Sequence, residues 1–115
     1  MQTIGSQAES KALAFLKTQG LKLLERNFRC KLGEIDLIMQ DKDFTVFVEV
    51  KYRKIINFGE PVETVTKSKQ RKIIKAATFY LQQKDLFDKV PCRFDVVGIL
   101  DDGQINWIKD AFIMG

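Results

Sequence analysis

Two short stretches, Gly33–Ile38 (GEIDLI) and Phe47–Lys51 (FVEVK), place charged residues inside apolar β-strand patterns. The first stretch contains Asp36, and the second contains Glu49 and Lys51. Side chains alternate between the two faces of a strand, so Glu49 and Lys51 are predicted to share one face, with the neighbouring valines on the core face. The polar residues between the stretches can turn the chain back, and the resulting hairpin would bring Asp36 within reach of Glu49.

The same alternation assigns the neighbours of Asp36 to the two faces of their strand. It predicts that Ile38 shares the face of Asp36. It also predicts that Ile35, Leu37 and Met39 lie together on the opposite face.

An aspartate on one strand beside a Glu-x-Lys on the next meets the needs of metal-dependent phosphodiester hydrolysis. Mg²⁺ prefers hard oxygen ligands and usually takes one or two carboxylates together with water and substrate phosphate; Mn²⁺ is the alternative cation expected here. Such a metal polarises a phosphoryl oxygen and lowers the pKa of its bound water. Lys51 would orient that water or neutralise the charge that builds up on phosphorus.

The alternative interpretation of these charges is a surface ion pair. Glu-x-Lys is common on strands, and paired charges usually mark a solvated face. Both acidic stretches, however, lie inside strongly apolar β runs, where an unpaired carboxylate costs free energy. Their position therefore favours a functional site.

The absence of histidine narrows the chemistry further. With no histidine in 115 residues, Ser-His-Asp and Cys-His hydrolases, HExxH metalloproteases and nucleases with a histidine base are excluded. The chain also has no glycine-rich phosphate loop of the Walker type. Any hydrolysis must therefore depend on carboxylates, lysine and a bound metal.

Length and composition fit a small nucleic-acid protein. Residues 1–115 are predicted to form one domain, and a net charge of +4 with a pI near 9.1 is compatible with a polyanionic partner. The two cysteines, Cys30 and Cys92, lack metal-ligand spacing, which predicts buried free thiols in a reducing compartment. No apolar run reaches membrane-spanning length and no signal-peptide core is present, so we expect a cytoplasmic protein without membrane contact.

Hydrophobic periodicity and turn residues predict the element order αβββαβ followed by a last strand. The helix between the third and fourth strands suggests a crossover that joins them in parallel. A loop of about a dozen residues after the third strand is long enough to be functional or mobile. The predicted elements are helix Gln7–Gln19, strands Leu21–Cys30, Gly33–Gln40 and Phe44–Tyr52, a helix capped by Thr66 and running to about Lys84, and strands Arg93–Leu100 and Gln104–Ile108.

Further charged residues lie around this pattern. Glu9 borders the apolar face of the first helix, so it either favours the helix dipole or delivers a third carboxylate to the metal site. Basic residues are also concentrated at the start of the second predicted helix and at the end of the third strand. A basic helix face is usually just solvated, but these residues could instead bind the phosphates of a nucleic-acid backbone. The candidate nucleic-acid-binding residues are Arg53, Lys54, Lys67, Lys69, Arg71, Lys72 and Lys75.

Two more residues have open roles at this point. Phe58, in the long loop, could stack on an unpaired base, although plugging the core is the favoured interpretation. Asp95 could bond to Arg93 or to backbone, or it could lie behind the metal ligands. Tyr52 and Trp107 are predicted to be packing residues.

Several long, ordered motifs give the chain a resemblance to a known family. It resembles the YraN family, also called uncharacterised protein family 0102, over nearly its whole length. That family is similar to Holliday-junction resolvases of archaeal type in the PD-(D/E)XK nuclease superfamily. Ala8 stands where the family often has glycine, and Tyr52 stands where a smaller residue is usual. The matching features are Glu9, RNFRCKLGEIDLI, FVEVKYR, FGEPVETV, Lys69 and CRFDVV.

The resemblance implies a restriction-endonuclease-like α/β fold with a mixed sheet of about five strands flanked by helices. It implies that Asp36, Glu49 and Lys51 match the superfamily signature and that Glu9 matches its helix-borne acid, with Asp36, Glu49 and Glu9 as metal ligands. Resolvases act as two-fold dimers on two-fold junctions, but no segment here predicts a homodimer.

Together these observations predict a Mg²⁺-dependent endonuclease acting on branched, structured or single-stranded DNA. Fold similarity alone does not establish activity. One alternative is a nucleic-acid-binding module with little or no cleavage. Another is a structural partner in a DNA-processing assembly, whose basic face docks an acidic protein.

Overall fold

A computed structural model describes residues 3–54 and 65–114 of the chain. It contains one five-stranded β-sheet with a helix packed on each face. The elements are α1 (Ile4–Thr18), β1 (Lys22–Cys30), β2 (Gly33–Asp41), β3 (Phe44–Arg53), α2 (Lys67–Gln83), β4 (Cys92–Leu100) and β5 (Ile105–Phe112).

The five strands lie side by side in the order in which they occur in the chain. β3 and β4 are parallel and are joined through α2, whereas the other neighbouring strands are antiparallel. The predicted αβββαβ order, the mixed sheet and the α/β class are therefore confirmed. β3 is the central strand, and its acidic stretch is paired with β4 throughout but with β2 only as far as Val48.

Both faces of the sheet are buried, which explains the near-continuous apolar runs in its central strands. Val46 and Val48 of β3 pack against α1, while Phe47 between them packs against α2. The core is thus two layers rather than one. The α1 layer contains Ala8, Ala12, Leu16, Leu37, Met39, Val97 and Ile99, and the α2 layer contains Phe28, Ile38, Ile73, Ala77, Tyr80, Leu81, Phe94 and Val96.

Both helices begin at a threonine cap. Thr66 was predicted to cap α2, and its Oγ1 accepts a hydrogen bond from the Lys69 N–H at 3.1 Å. α1 begins at Ile4 rather than at the predicted Gln7, because Thr3 accepts the Ser6 N–H at 3.0 Å and so stabilises one more turn.

β5 extends to Phe112 rather than ending at the predicted Ile108, because tertiary contacts stabilise its second half. The Asp110 N–H donates to Asp95 Oδ1 at 3.0 Å, and Phe112 stacks on Phe94 with ring centroids 4.9 Å apart. Neither partner is close to this segment in sequence.

Asp95 is fully buried, and its carboxylate is satisfied by hydrogen bonds. It accepts hydrogen bonds from Arg93 Nε at 3.0 Å and from Trp107 Nε1 at 3.0 Å, besides the Asp110 amide. It shares the α1 face with Val97, whereas Glu49 lies on the α2 face. Asp95 therefore joins β4 to β5 and is not behind the predicted metal ligands.

One prediction about side-chain faces is wrong. Leu37 and Met39 pack with α1 as expected, but Ile35 packs in the α2 layer. The β2–β3 pairing ends at Leu37–Val48, so beyond that pair only β1 holds β2, at Ile35, Glu34 and Gly33. On the other side, Asn27 of β1 has a positive φ of 56°. β2 is therefore irregular at Asp36.

The remaining expectations concern smaller features. Cys30 and Cys92 are both free and half-buried, rather than fully buried as expected. No described helix is long and apolar enough to cross a membrane. Phe58, and the loop predicted around it, lie outside the described residues apart from the loop's ends.

Gly33 provides a test of how α2 is seated on the sheet. A Cβ at this position would lie 2.9 Å from the Lys72 carbonyl oxygen, which belongs to the α2 backbone. We expect Gly33→Ala to lower the free energy of unfolding by about 1–3 kcal/mol, because the helix must move away. Urea denaturation measures the change.

Gly5→Ala is the matched control for this substitution. Gly5 lies in α1, and the nearest atom to an added Cβ is 4.0 Å away. Alanine there should stabilise the protein by about 0.5–1 kcal/mol. A Gly33→Ala protein as stable as the wild type would show that α2 is not held at this contact.

Candidate carboxylate site

The site lies where β2 and β3 separate. The last pair of the β2–β3 ladder is Leu37–Val48, and continuing the register by one residue would place Asp36 opposite Glu49. The strands diverge there, and the Val50 N–H donates instead to Asp36 Oδ2 at 2.8 Å. The carboxylate of Asp36 thus replaces a backbone acceptor and is held beside Glu49.

Asp36 and Glu49 are adjacent acidic side chains, and Glu49 is largely buried. Only 10% of the Glu49 side chain is exposed. Burial, followed by the negative charge of Asp36, raises the pKa of Glu49 to about 8. A hydrogen bond between Glu49 and Asp36 raises the pKa of Glu49 further.

Two lysines oppose this shift in the pKa of Glu49. Lys69, from the first turn of α2, places its Nζ 3.6 Å from Glu49 Oε2. Lys51 is on the same face of β3 as Glu49, and its charge also favours the ionised carboxylate. The structure therefore brings three of the predicted residues together, with Lys69 from the predicted basic cluster as a fourth.

Glu9 approaches the pair from the opposite helix. Its pKa is raised by partial burial and by the negative charge of Asp36, which shows that the two carboxylates interact electrostatically. Its closest cation is Arg26, whose Nε lies 3.6 Å from Glu9 Oε1. Arg26 also donates to Ser6 O at 3.1 Å and to Ser10 Oγ at 3.0 Å, and so joins β1 to α1.

Arg26 is the residue of this site that the sequence did not identify. Its Nε is buried and has no hydrogen-bond partner within the part of the chain that is described. The sequence carried only a weak signal, a basic residue in a strand whose pattern was not clearly β. Its partners in α1 are distant in sequence, so only the folded structure shows the contact.

The donor set fits a divalent cation bound by two carboxylates. Asp36 and Glu49 offer hard oxygen ligands, and a cation between them would offset the repulsion of the two carboxylates. Within residues 3–54 and 65–114, no three acidic or cysteine side chains are grouped closely enough to hold a metal. Glu9 as a third ligand therefore stays a prediction.

The other predicted basic residues lie mainly on the surface of α2 and beyond the end of β3. Lys67, Arg71, Lys72 and Lys75 of α2 are exposed, as is Lys54, while Arg53 is half-buried at the end of β3. Tyr52 packs in the α1 layer, away from Glu49, as expected. The Trp107 ring packs edge-on against Phe15, which confirms a packing role.

Comparison with known proteins gives consistent matches over nearly the whole chain. Residues 8–99 match the family described as "Uncharacterised protein family UPF0102". A UPF0102 protein of Coxiella burnetii is 54% identical over 96% of this chain and 92% of its own length. UPF0102 proteins of Shewanella oneidensis and Nitrosococcus oceani are 51% and 47% identical, covering 96% and 94% of this chain and 99% and 90% of their own.

The raised pKa of Glu49 predicts that its ionisation destabilises the fold. Below pH about 4.5 the group is protonated in both the folded and the unfolded state and costs nothing. As the pH rises towards 8, the unfolded state releases the proton first, so stability is lost. We expect Glu49→Gln to be more stable than the wild type at pH 9, on the order of 3 kcal/mol, and equal at pH 4.

Urea denaturation in EDTA at several pH values measures this difference. Glu34→Gln is the matched control, because Glu34 is 57% exposed and its ion pair is with Arg29 at the surface. That substitution should change stability by less than about 0.5 kcal/mol at any pH. A Glu49→Gln advantage that is the same at pH 4 and pH 9 would contradict the assigned burial of charge.

Proposed function

This chain belongs to the UPF0102 family, and we propose that it is a metal-dependent endonuclease that hydrolyses phosphodiester bonds in branched or structured DNA. One observation carries the proposal, namely the half-buried Asp36 held beside the buried Glu49, with Lys51 on the same face of β3 as Glu49. A fold gains nothing in stability from two facing carboxylates, so their retention in the core favours a function.

Mg²⁺, or Mn²⁺ in its place, would be held by Asp36 and Glu49, with Glu9 as the predicted third ligand. When bound, it would supply polarisation of the scissile phosphate and a more acidic water. The Val50 N–H fixes the orientation of the Asp36 carboxylate through Oδ2.

Lys51 would act on the charge that develops during hydrolysis. It is one strand position further along the same face than Glu49, and its charge reaches that carboxylate. An ammonium there can orient the attacking water and stabilise the growing negative charge on the phosphoryl oxygens.

DNA would be bound by the basic residues of α2 and by those at the end of β3. These cations are exposed on elements that border the carboxylate pair, so a strand tracking them would pass the pair. Branched DNA is favoured over plain duplex by the resemblance to junction resolvases alone. A homodimer likewise stays a prediction from that resemblance.

The second candidate function is DNA binding without cleavage. The exposed basic face of α2 favours it, because that surface does not depend on the carboxylates. It predicts binding that weakens steeply with salt and no turnover with any metal. The two candidate functions differ in whether the Asp36–Glu49 pair takes part in phosphodiester hydrolysis.

Cation binding at the pair should stabilise the protein measurably. We expect saturating Mg²⁺ or Mn²⁺ to raise the unfolding temperature at pH 7, because binding to the folded state alone adds to its stability. Asp36→Asn should lose most of this shift, while Asp102→Asn, on the exposed turn before β5, should keep it. Equal shifts in both variants would argue against a metal at Asp36.

Cleavage of labelled DNA tests the activity itself. Four-way junction, flap, single-stranded and duplex DNA should be incubated with Mg²⁺ or Mn²⁺ and each variant. We expect cutting by the wild type, a loss of about 100-fold or more in Lys51→Ala, and loss in Asp36→Asn. Salt-dependent binding by all three with no cutting would favour the binding module instead.

A further inference from the structure

Lys69 stands between the proposed DNA-binding helix and the carboxylate pair. Its backbone is fixed in the first turn of α2 by the Thr66 cap, and its Nζ reaches Glu49 Oε2 at 3.6 Å. Its side chain is 42% exposed, so the same ammonium is within reach of solvent. Among the described basic residues of α2, it is the one paired with Glu49.

We infer that Lys69 couples DNA binding to metal binding by exchanging Glu49 for a DNA phosphate. This inference rests on the proposed function and adds a role that neither the basic cluster nor the carboxylate pair has alone. A phosphate at the start of α2 would draw Lys69 away from Glu49. The Glu49 carboxylate is then available to the divalent cation.

Electrostatics gives the exchange its direction. The Lys69 ammonium and a divalent cation repel one another, and both are attracted to the Glu49 carboxylate. Each therefore weakens the binding of the other to Glu49. A phosphate removes the conflict by giving Lys69 a second anion. Because coupling of this kind is reciprocal, the metal must tighten DNA binding by the factor by which DNA tightens metal binding.

The fold confines this exchange to the lysine side chain. The close approach of Gly33 to the Lys72 carbonyl seats α2 directly on β2. Ile73, Ala76 and Ala77 of the same helix are buried against the sheet. The helix therefore stays in place, and the long, partly exposed side chain of Lys69 is the part that can change partner.

The experiment measures binding rather than activity. Ca²⁺, which takes oxygen ligands as Mg²⁺ does, is titrated into the wild-type protein by calorimetry, with and without saturating four-way junction DNA. Junction binding is measured by fluorescence anisotropy with and without Ca²⁺, and a gel checks that the DNA stays intact. We expect each ligand to tighten the other about 5- to 50-fold.

Lys69→Met and Lys75→Met separate coupling from simple phosphate contact. Lys75 is exposed on the same helix and has no ion pair with Glu49 within the described residues. Lys69→Met should bind Ca²⁺ more tightly than the wild type without DNA, and DNA should no longer change that affinity. Lys75→Met should weaken DNA binding while the coupling stays intact, and Lys69→Arg should restore most of the coupling.

The remaining outcomes distinguish failure of the coupling by Lys69 from failure of the proposed function. If the wild type binds both ligands with independent affinities, or if Lys69→Met binds Ca²⁺ no better without DNA, the coupling is refuted and the proposed nuclease stands. If the wild type binds neither Ca²⁺ nor DNA, the proposed function fails and the coupling fails with it.

Discussion

The hydrogen bond from the Val50 N–H to the Asp36 carboxylate is the constraint on which the site depends. β2 and β3 stop pairing after Leu37–Val48, and a backbone donor of a central strand would otherwise lose its partner there. The Asp36 side chain satisfies that donor and in doing so is fixed beside Glu49. The same bond completes the strand and positions the acid, so the fold and the site cannot be altered separately at this point.

Placing Glu49 in a buried position beside Asp36 lowers the stability of the fold, and apolar packing elsewhere offsets this loss. Burial raises the pKa of Glu49, and the adjacent Asp36 carboxylate adds to the effect. The two apolar layers, one on each face of the sheet, stabilise the fold through the hydrophobic effect. Asp95 differs from Glu49 because its fully buried carboxylate accepts hydrogen bonds from Arg93, Trp107 and a backbone amide. These hydrogen bonds stabilise the sheet.

Helices from opposite faces bring further charges to the gap between the strands. α1 contributes Glu9, which is held by Arg26 of β1, and α2 contributes Lys69, which is held at Glu49. A negative and a positive side chain thus approach the Asp36–Glu49 pair from two sides. The Lys69 side chain is partly exposed, so the pair is not sealed from solvent by apolar side chains alone.

The sequence by itself determined the order of the elements, the Thr66 cap of α2 and the shared face of Glu49 and Lys51, because strand alternation and helix capping are local. Only the tertiary structure decided that Ile35 leaves the face of Leu37, that Arg26 holds Glu9, and that Lys69 reaches Glu49. Those facts depend on where a strand pairing ends and on contacts between residues far apart in the chain. No local pattern encodes such distances, so the sequence alone could propose the carboxylates and Lys51, but it could not place Arg26 beside Glu9 or Lys69 beside Glu49.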